Sequence, residues 1–137
     1  MGQYAPLRHR FLANLIDWGV KILIEVGIVV SLETLFPSSS YAALDGALIL
    51  VFSVLAVVAY DIVPLSRSGA TVGKRMMGIR VVGQDGRLIS LGRSFLREVV
   101  GKWLSGLVFS LGYLWAVWDK DKQAWHDKLV GTYVVRR

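Results

Sequence analysis

Residues 11–36 read FLANLIDWGVKILIEVGIVVSLETLF, an apolar stretch long enough to cross a lipid bilayer as a helix. Inside it lie the polar or charged side chains of Asn14, Asp17, Lys21 and Glu25. An ionised side chain at the centre of a bilayer costs about 2.5–3.5 kcal/mol on insertion scales. The stretch therefore predicts a membrane helix whose charged groups face protein or water rather than lipid.

The polar residues fall on one side of this predicted helix. A helix turns by about 100° per residue, so positions spaced by four, three, four and four residues share an arc of roughly 80°. We call this set the polar stripe; it comprises Arg10, Asn14, Asp17, Lys21 and Glu25. Asp17 with Lys21, and Lys21 with Glu25, are i,i+4 pairs, so the stripe can neutralise most of its own charge. It is interpreted either as a site for a transported ion or as ion pairs that fix helix packing.

The composition indicates an integral membrane protein. Of the 137 residues, 54% are apolar and only 19% are charged, which is too apolar for an ordinary soluble domain of this length. A cleavable signal peptide is not expected, because the first apolar stretch is too long and carries charges. The sequence has no cysteine, which excludes disulfides, thiolate catalysis and cysteine metal sites.

The distribution of positive charge predicts the orientation. Arg8 and Arg10 precede the first stretch, and residues 37–63 contain neither Lys nor Arg. Positive residues then recur after the second stretch, at Arg67, Lys74, Arg75, Arg80, Arg87, Arg93 and Arg97. By the positive-inside rule the N-terminus and residues 64–97 lie in the cytoplasm. The charges flank spans and no nucleic-acid reader motif is present, so nucleic-acid binding is not expected.

A second predicted span covers residues 41–63, with Gly46–Tyr60 wholly uncharged. Residues 37–40, PSSS, form the short external turn, and Pro64 marks the exit of the span. The two spans are therefore expected to run antiparallel as a transmembrane hairpin. Residues 1–137 are treated as one domain.

The cytoplasmic loop, residues 64–94, is expected to carry a small β-hairpin. Gly78–Val82 and Arg87–Ser90 flank Gly83–Gly86, a turn signal with Asp-Gly at its tip. A third strand of the same kind is predicted at Thr132–Val135 in the tail, residues 119–137. Two strands alone are marginal in water, so pairing with the tail would stabilise the hairpin.

The third apolar segment, residues 95–118, carries Arg97, Glu98 and Lys102, and only its last sixteen residues are uncharged, which is short for a span. If it crossed, the positively charged tail would lie outside, against the charge rule. A re-entrant or broken helix bent near Gly106 or Gly112 is preferred, and a plain third span with an external tail is the alternative. The predicted fold class is thus an all-α membrane protein with a small cytoplasmic β element.

Two further motifs suggest chemistry but do not complete a site. The tract 69–75, GATVGKR, has too few residues between its glycines for a phosphate-binding loop, so Lys74 and Arg75 are instead expected to meet lipid phosphates. The adjacent pair His126 and Asp127 lacks the third partner that catalysis needs. Asp127 is expected to cap a turn or to pair with an arginine. No enzyme activity, metal ion or cofactor is expected.

Three blocks of sequence resemble the RDD family of bacterial membrane proteins: residues 10–17, RFLANLID; residues 71–82, TVGKRMMGIRVV; and residues 126–132, HDKLVGT. The family is named for an arginine at the start of its first helix, an aspartate in the middle of that helix and a further aspartate. The first two match Arg10 and Asp17, and the third is assigned to Asp127, with Asp61 as the other candidate. The resemblance implies transport of unidentified ligands, with cation/proton exchange for some members.

Together these patterns predict a small multi-pass protein of the bacterial inner membrane with both termini cytoplasmic. The first function hypothesis is a transport component for an ion or small molecule, in which Asp17, Lys21 and Glu25 form the ion site. The alternative is an assembly or accessory subunit of a larger membrane complex, in which the same charges form interhelical ion pairs. The expected partners are the lipid bilayer and either further copies of the chain or a larger membrane complex.

Overall fold

Two long antiparallel helices form the body of the protein. In a computed structural model, residues 3–36, 42–107 and 111–137 are described, and α1 runs from Leu7 to Leu35 and α2 from Ala42 to Ser68. The predicted external turn at residues 37–40 lies outside the described residues. The shorter elements are α3 (Val72–Met76), β1 (Ile79–Gly83), α4 (Leu91–Phe95), a π-helix (Leu96–Gly101), α5 (Lys102–Leu107), α6 (Leu111–Trp118), α7 (Trp125–Val130) and β2 (Thr132–Arg136).

Helix α2 has the length and apolarity of a membrane span. Its part from Gly46 to Ser68 has a mean hydropathy of 2.5 and is largely exposed to the surroundings of the protein. It is the one candidate span in the described part of the chain, so the crossing of the membrane by α1 stays a prediction. Helix α2 continues past Pro64 to Ser68, and the exit of the span from the membrane at Pro64 stays a prediction. Pro64 has no backbone N–H to donate within the helix. The side-chain hydroxyls of Ser66 and Ser68 donate instead to the carbonyls of Val63 and Pro64.

The β element is a two-stranded antiparallel sheet of β1 and β2, paired from Ile79 with Arg136 to Gly83 with Thr132. The predicted strands at 79–82 and 132–135 are confirmed, and the predicted strand at Arg87–Ser90 is wrong. The other edge of β1 is already occupied, because the Val81 N–H donates to the carbonyl of Gly69 at 2.7 Å. Ser90 instead begins α4, where its side chain accepts a hydrogen bond from the Arg93 N–H.

The N-terminus joins the same sheet, which the sequence pattern did not predict. Tyr4 bridges to Val135, and the Ala5 N–H donates to the Val134 carbonyl at 2.8 Å. The start of the chain, the loop after α2 and the tail are therefore held together. Their side chains form the buried core with the ends of α1 and α2, namely Ala5, Ala13, Leu65, Ile79, Val81, Ile89 and Val134.

The third apolar segment is divided into several short helices rather than one. It passes from α4 through the π-helix into α5, and α6 begins again at Leu111. Gly106 and Gly112, the predicted bend positions, lie inside α5 and α6, and residues 108–110 between these helices are outside the described residues. These separate helices agree with the preferred prediction of a broken segment. That prediction also requires the tail to lie beside the sheet, and β2 pairs with β1 there. Re-entry into the membrane stays a prediction.

Cysteine labelling tests the resulting topology, and the chain has no native cysteine to interfere. Asp85→Cys lies in the turn after β1, and Arg137→Cys lies at the end of the tail. Glu33→Cys lies near the far end of α1, about 39 Å from its start at 1.5 Å per residue. We expect a membrane-impermeant maleimide to label positions 85 and 137 from the same side of the membrane and position 33 from the other. Labelling of 85 and 137 from opposite sides would contradict the paired sheet.

Candidate functional site

Asp17 is the buried carboxylate at which three elements meet. Its side chain accepts a hydrogen bond from the Tyr60 hydroxyl of α2 at 2.6 Å and from the Thr71 hydroxyl at 2.5 Å. The Gly73 N–H at the start of α3 donates a third bond at 2.7 Å. Asp17 is only 5% exposed, so these donors replace the water that a carboxylate otherwise needs. Asp17 thereby fixes α2 and α3 against the middle of α1.

Gly73 permits the close approach of α3 to α1. A Cβ atom at this position would collide with the carbonyl oxygen of Ala13 and would lie 2.9 Å from Cγ of Asp17. Any side chain at position 73 would therefore push α3 away from α1 and lengthen the hydrogen bond to Asp17. The residue is glycine because of contact distance, since no left-handed backbone is involved.

A network of buried and partly buried ion pairs links the two long helices to the third segment. Lys21 of α1 contacts Asp61 of α2 at 2.6 Å, and Lys102 lies 3.9 Å from the same carboxylate. Lys102 also pairs with Glu98 one turn earlier, and Glu98 in turn pairs with its neighbour Arg97. Alternating charges thus run without a gap from the middle of α1 into the π-helix.

Asp127 completes the network at its other end. It accepts hydrogen bonds from Arg97 at 2.6 Å and from Arg10 at 3.2 Å. It also accepts the Ala124 N–H at the start of α7. Both structural roles expected for Asp127, a cap and an arginine partner, are therefore present in one side chain. Asp61 and Asp127, the two candidates for the third family aspartate, both belong to the network, but Asp127 is the one that contacts Arg10.

Burial shifts the proton affinities of three groups outside the long helices. Desolvation lowers the pKa of Lys74 to about 8, although Glu98 at 3.8 Å opposes the shift. Desolvation likewise lowers the pKa of His126 to about 4, so its imidazole is neutral at pH 7. Burial would raise the pKa of Asp127, but the neighbouring Arg97 guanidinium and the charge of Arg10 hold it at about 2.

A cavity of about 470 Å³ lies beside this network, between the start of α1, the sheet and the third segment. Its charged lining consists of Arg10, Lys74, Arg97, Lys102 and Asp127. Its remaining walls are mostly apolar and include Leu7, Phe11, Ile79, Leu114, Val117 and Val134. The volume is in the range of small-molecule sites. In the described part of the chain, no three or more His, Asp or Glu side chains are grouped to hold a metal ion.

The predicted polar stripe is only partly gathered in one place. Arg10 and Lys21 enter the network, Asn14 lines the cavity, and Asp17 forms its own centre with Tyr60, Thr71 and Gly73. The i,i+4 pairs expected within the stripe are not formed, because Lys21 reaches across to Asp61 of α2. Glu25 is half-buried and has no hydrogen-bond or ion-pair partner among the described side chains.

The prediction that Lys74 and Arg75 meet lipid phosphates needs correction for Lys74. Its side chain is 6% exposed and faces Glu98 and the cavity, because α3 packs against α1 through Gly73. Arg75, the next residue of α3, is exposed and donates to the Ser68 hydroxyl at 2.7 Å. Its contact with lipid stays a prediction.

Several residues of the site were not singled out from the sequence. Tyr60, Thr71 and Gly73 are uncharged, so a search for charged residues in apolar segments does not find them. Only the structure connects them to Asp17. Arg97, Glu98 and Lys102 did give a signal, because charges in an apolar segment require buried partners as those of α1 do. From the sequence these charges bear on whether the segment spans the membrane, whereas the structure places them at the centre of the network.

Comparison with known proteins gives one family. The model of the RDD family matches residues 4–131. The uncharacterized protein YckC of Bacillus subtilis is 38% identical over 88 residues, covering 61% of this chain and 58% of YckC. The uncharacterized protein YxaI of the same organism is 30% identical over 86 residues, covering 63% and 56%. The match thus spans little more than half of each relative. No solved structure matches the chain.

Substitution at Gly73 tests the contact between α1 and α3. We expect Gly73→Ala to lower the free energy of unfolding by about 1–3 kcal/mol, as overpacking of a tight contact does, measured by thermal or SDS-induced unfolding in detergent. Gly19→Ala in α1 is the control, because a Cβ there has no atom within 4 Å. Equal stability of Gly73→Ala and Gly19→Ala would contradict the close approach.

The lowered pKa of His126 predicts a pH dependence of stability. Between about pH 6.5 and pH 4 the unfolded chain binds a proton at His126 and the folded chain does not, so stability falls as the pH falls through this window. The full loss corresponds to about 3 kcal/mol. Thermal unfolding from pH 7.5 to 4.5 should show this slope, and His126→Gln should flatten it. An unchanged slope in the variant would contradict a buried neutral imidazole.

Proposed function

The chain belongs to the RDD family, and from that premise we propose that it is a component of a membrane transport system for an ion or small molecule. The observation that carries the proposal is the continuous ion-pair network from Lys21 of α1 through the third segment to Arg10. Rows of ionisable groups inside membrane proteins typically mark ion and proton pathways. The network borders the cavity, which gives the pathway a place where a solute binds.

Asp61 is the carboxylate best placed to exchange a proton or ion within this pathway. It lies between two cations of different elements, Lys21 at 2.6 Å and Lys102 at 3.9 Å, and its side chain is 13% exposed. Asp17, which the sequence favoured for this role, has its oxygens occupied by three donors. We therefore assign Asp17 to holding the helices and Asp61 to the pathway, with proton-coupled exchange as the mode of transport.

We place the protein in the bacterial inner membrane, with α1 and α2 as spans and the sheet in the cytoplasm. Support comes from the exposed apolar side chains of both long helices and from the positive charges near the sheet. The partner in this proposal is the bilayer itself. No catalytic reaction and no cofactor is part of it.

Glu25 supports a second candidate, an assembly function. A carboxylate within a spanning helix needs a partner, and Glu25 has none among the described side chains. An open apolar groove of about 670 Å³ lies one turn further along, between α1 and α2, and includes Gly27, Phe52 and Ala56. In this candidate a helix of a second copy of the chain occupies the groove and supplies the cation for Glu25.

Flux through proteoliposomes tests transport. The purified protein is reconstituted with a trapped pH-sensitive dye, and a Na⁺, K⁺ or Cl⁻ gradient is imposed. We expect one of these gradients to drive an internal pH change with the native protein, and Asp61→Asn to slow it at least about tenfold because the variant interrupts the ion pathway. Glu33→Gln is the control, since Glu33 is an exposed carboxylate of α1 outside the network.

The outcomes separate the two candidates. Rates equal to protein-free liposomes under every gradient, or Asp61→Asn rates equal to those of the native protein, contradict transport. The mass of the detergent-solubilised protein is measured in parallel for Glu25→Gln and Glu33→Gln. A native oligomer that dissociates only in Glu25→Gln, together with absent flux, supports the assembly function.

A further inference from the structure

The network beside the cavity contains more positive than negative charge. Its five cations are Arg10, Lys21, Lys74, Arg97 and Lys102, and its three carboxylates are Asp61, Glu98 and Asp127. Counting Asp17, whose described partners are neutral donors, still leaves one cation in excess. His126 adds no charge at pH 7, because burial lowers its pKa to about 4. Excess charge away from water is costly unless a counter-ion neutralises it.

Two of the cations that face the cavity, Arg10 and Lys74, are also incompletely used. The Arg10 Nε–H is buried and has no acceptor among the described residues, although the terminal nitrogens of the same guanidinium donate to Asp127 and to the Val134 carbonyl. The Lys74 ammonium lies 3.8 Å from Glu98, longer than a hydrogen bond. Both side chains line the cavity. An acidic group bound there would lie close to the positive charges of both side chains.

The rest of the cavity is apolar. Leu7, Phe11, Leu114 and Val117 line it, and Leu114 and Val117 are 48% and 45% exposed, so the apolar wall is open to the surroundings. A small hydrophilic anion would leave this apolar wall uncovered. An anion with an apolar chain would cover it and gain the free energy of apolar burial.

We propose that the cavity binds an anionic amphiphile, with a carboxylate or phosphate head against Arg10, Lys74 and Lys102 and an apolar tail along Leu114 and Val117. The inference deepens the proposed transport function, on which it rests, by naming the ligand class of the same cavity. Two sources share this chemistry: a free fatty-acid-like molecule and the acidic headgroup of a membrane lipid.

Binding of radiolabelled decanoate to the protein in phosphatidylcholine nanodiscs tests the inference. We expect saturable binding of one decanoate per chain above empty nanodiscs, no competition by decanol or decylamine, and at least tenfold weaker binding in Lys74→Met. This variant should stay folded, because it replaces a buried excess cation with an apolar side chain of similar length. Lys120→Gln removes the same charge at an exposed position outside the cavity and should leave binding unchanged.

Ala116→Phe tests the site through shape alone. Ala116 is 1% exposed and lines the cavity, so the larger side chain should fill it and abolish decanoate binding without changing charge. The measurement is then repeated in nanodiscs in which one fifth of the lipid is phosphatidylglycerol. Weaker decanoate binding than in pure phosphatidylcholine identifies the lipid headgroup as the occupant, because the acidic lipid then competes for the cavity. Unchanged binding identifies a free amphiphile.

The inference is overturned if decanoate binding does not saturate or if decanol competes for the site. It is also overturned if Lys74→Met and Ala116→Phe bind decanoate as the native protein does. The flux assay distinguishes this failure from failure of the proposed function. Flux that depends on Asp61 without decanoate binding would contradict only the ligand class. Decanoate binding without flux under any gradient would contradict transport and leave the site in place.

Discussion

The structure depends on the need to neutralise charged side chains that α1 carries along an otherwise apolar helix. Asp17 shows how this is done. Its carboxylate accepts hydrogen bonds from the Tyr60 hydroxyl of α2, from the Thr71 hydroxyl just before α3, and from the Gly73 N–H of α3. Each of these bonds is stronger than a bond between neutral groups because its acceptor is charged. Removing the carboxylate would leave Tyr60, Thr71 and Gly73 without their acceptor, so the position of α3 depends on it.

The same need fixes the position of the third segment. Arg97, Glu98 and Lys102 bring three charges into an apolar stretch, and each finds its partner on another element or on its own turn. A straight helix from 95 to 118 would carry the tail away from the sheet, whereas β2 pairs with β1 and Asp127 pairs with Arg97 and Arg10. The π-helix at Leu96–Gly101 lies where these constraints meet, and Gly101 there allows close contact with His126.

Local pattern predicted the elements better than it predicted their partners. The apolar runs predicted the regions of α1 and α2. The turn signal at Gly83–Gly86 predicted the strand before it, and a tract of the same kind predicted the strand at 132–135. The strand at Arg87–Ser90 failed because the Gly69 carbonyl occupies that edge of β1, a contact between distant parts of the chain. The prediction of a surface position for Lys74 failed for a similar reason. Its burial depends on Glu98 and on the close approach of α3 to α1 at Gly73, which are contacts between distant parts of the chain. Periodicity also identified the stripe, but not that Lys21 pairs with α2 rather than with its own helix.

The central claim is that the charges of α1 are neutralised by other elements of the same chain in a shared polar interior. A double-mutant cycle on the pair Lys21 and Asp61 tests it most directly, with unfolding in detergent as the measurement. We expect Lys21→Met and Asp61→Leu each to destabilise the protein by about 1.5–3 kcal/mol, because each removes one partner of a largely buried, charge-assisted hydrogen bond. The double variant should lose less than the sum by at least about 1 kcal/mol. Losses that simply add would contradict the account.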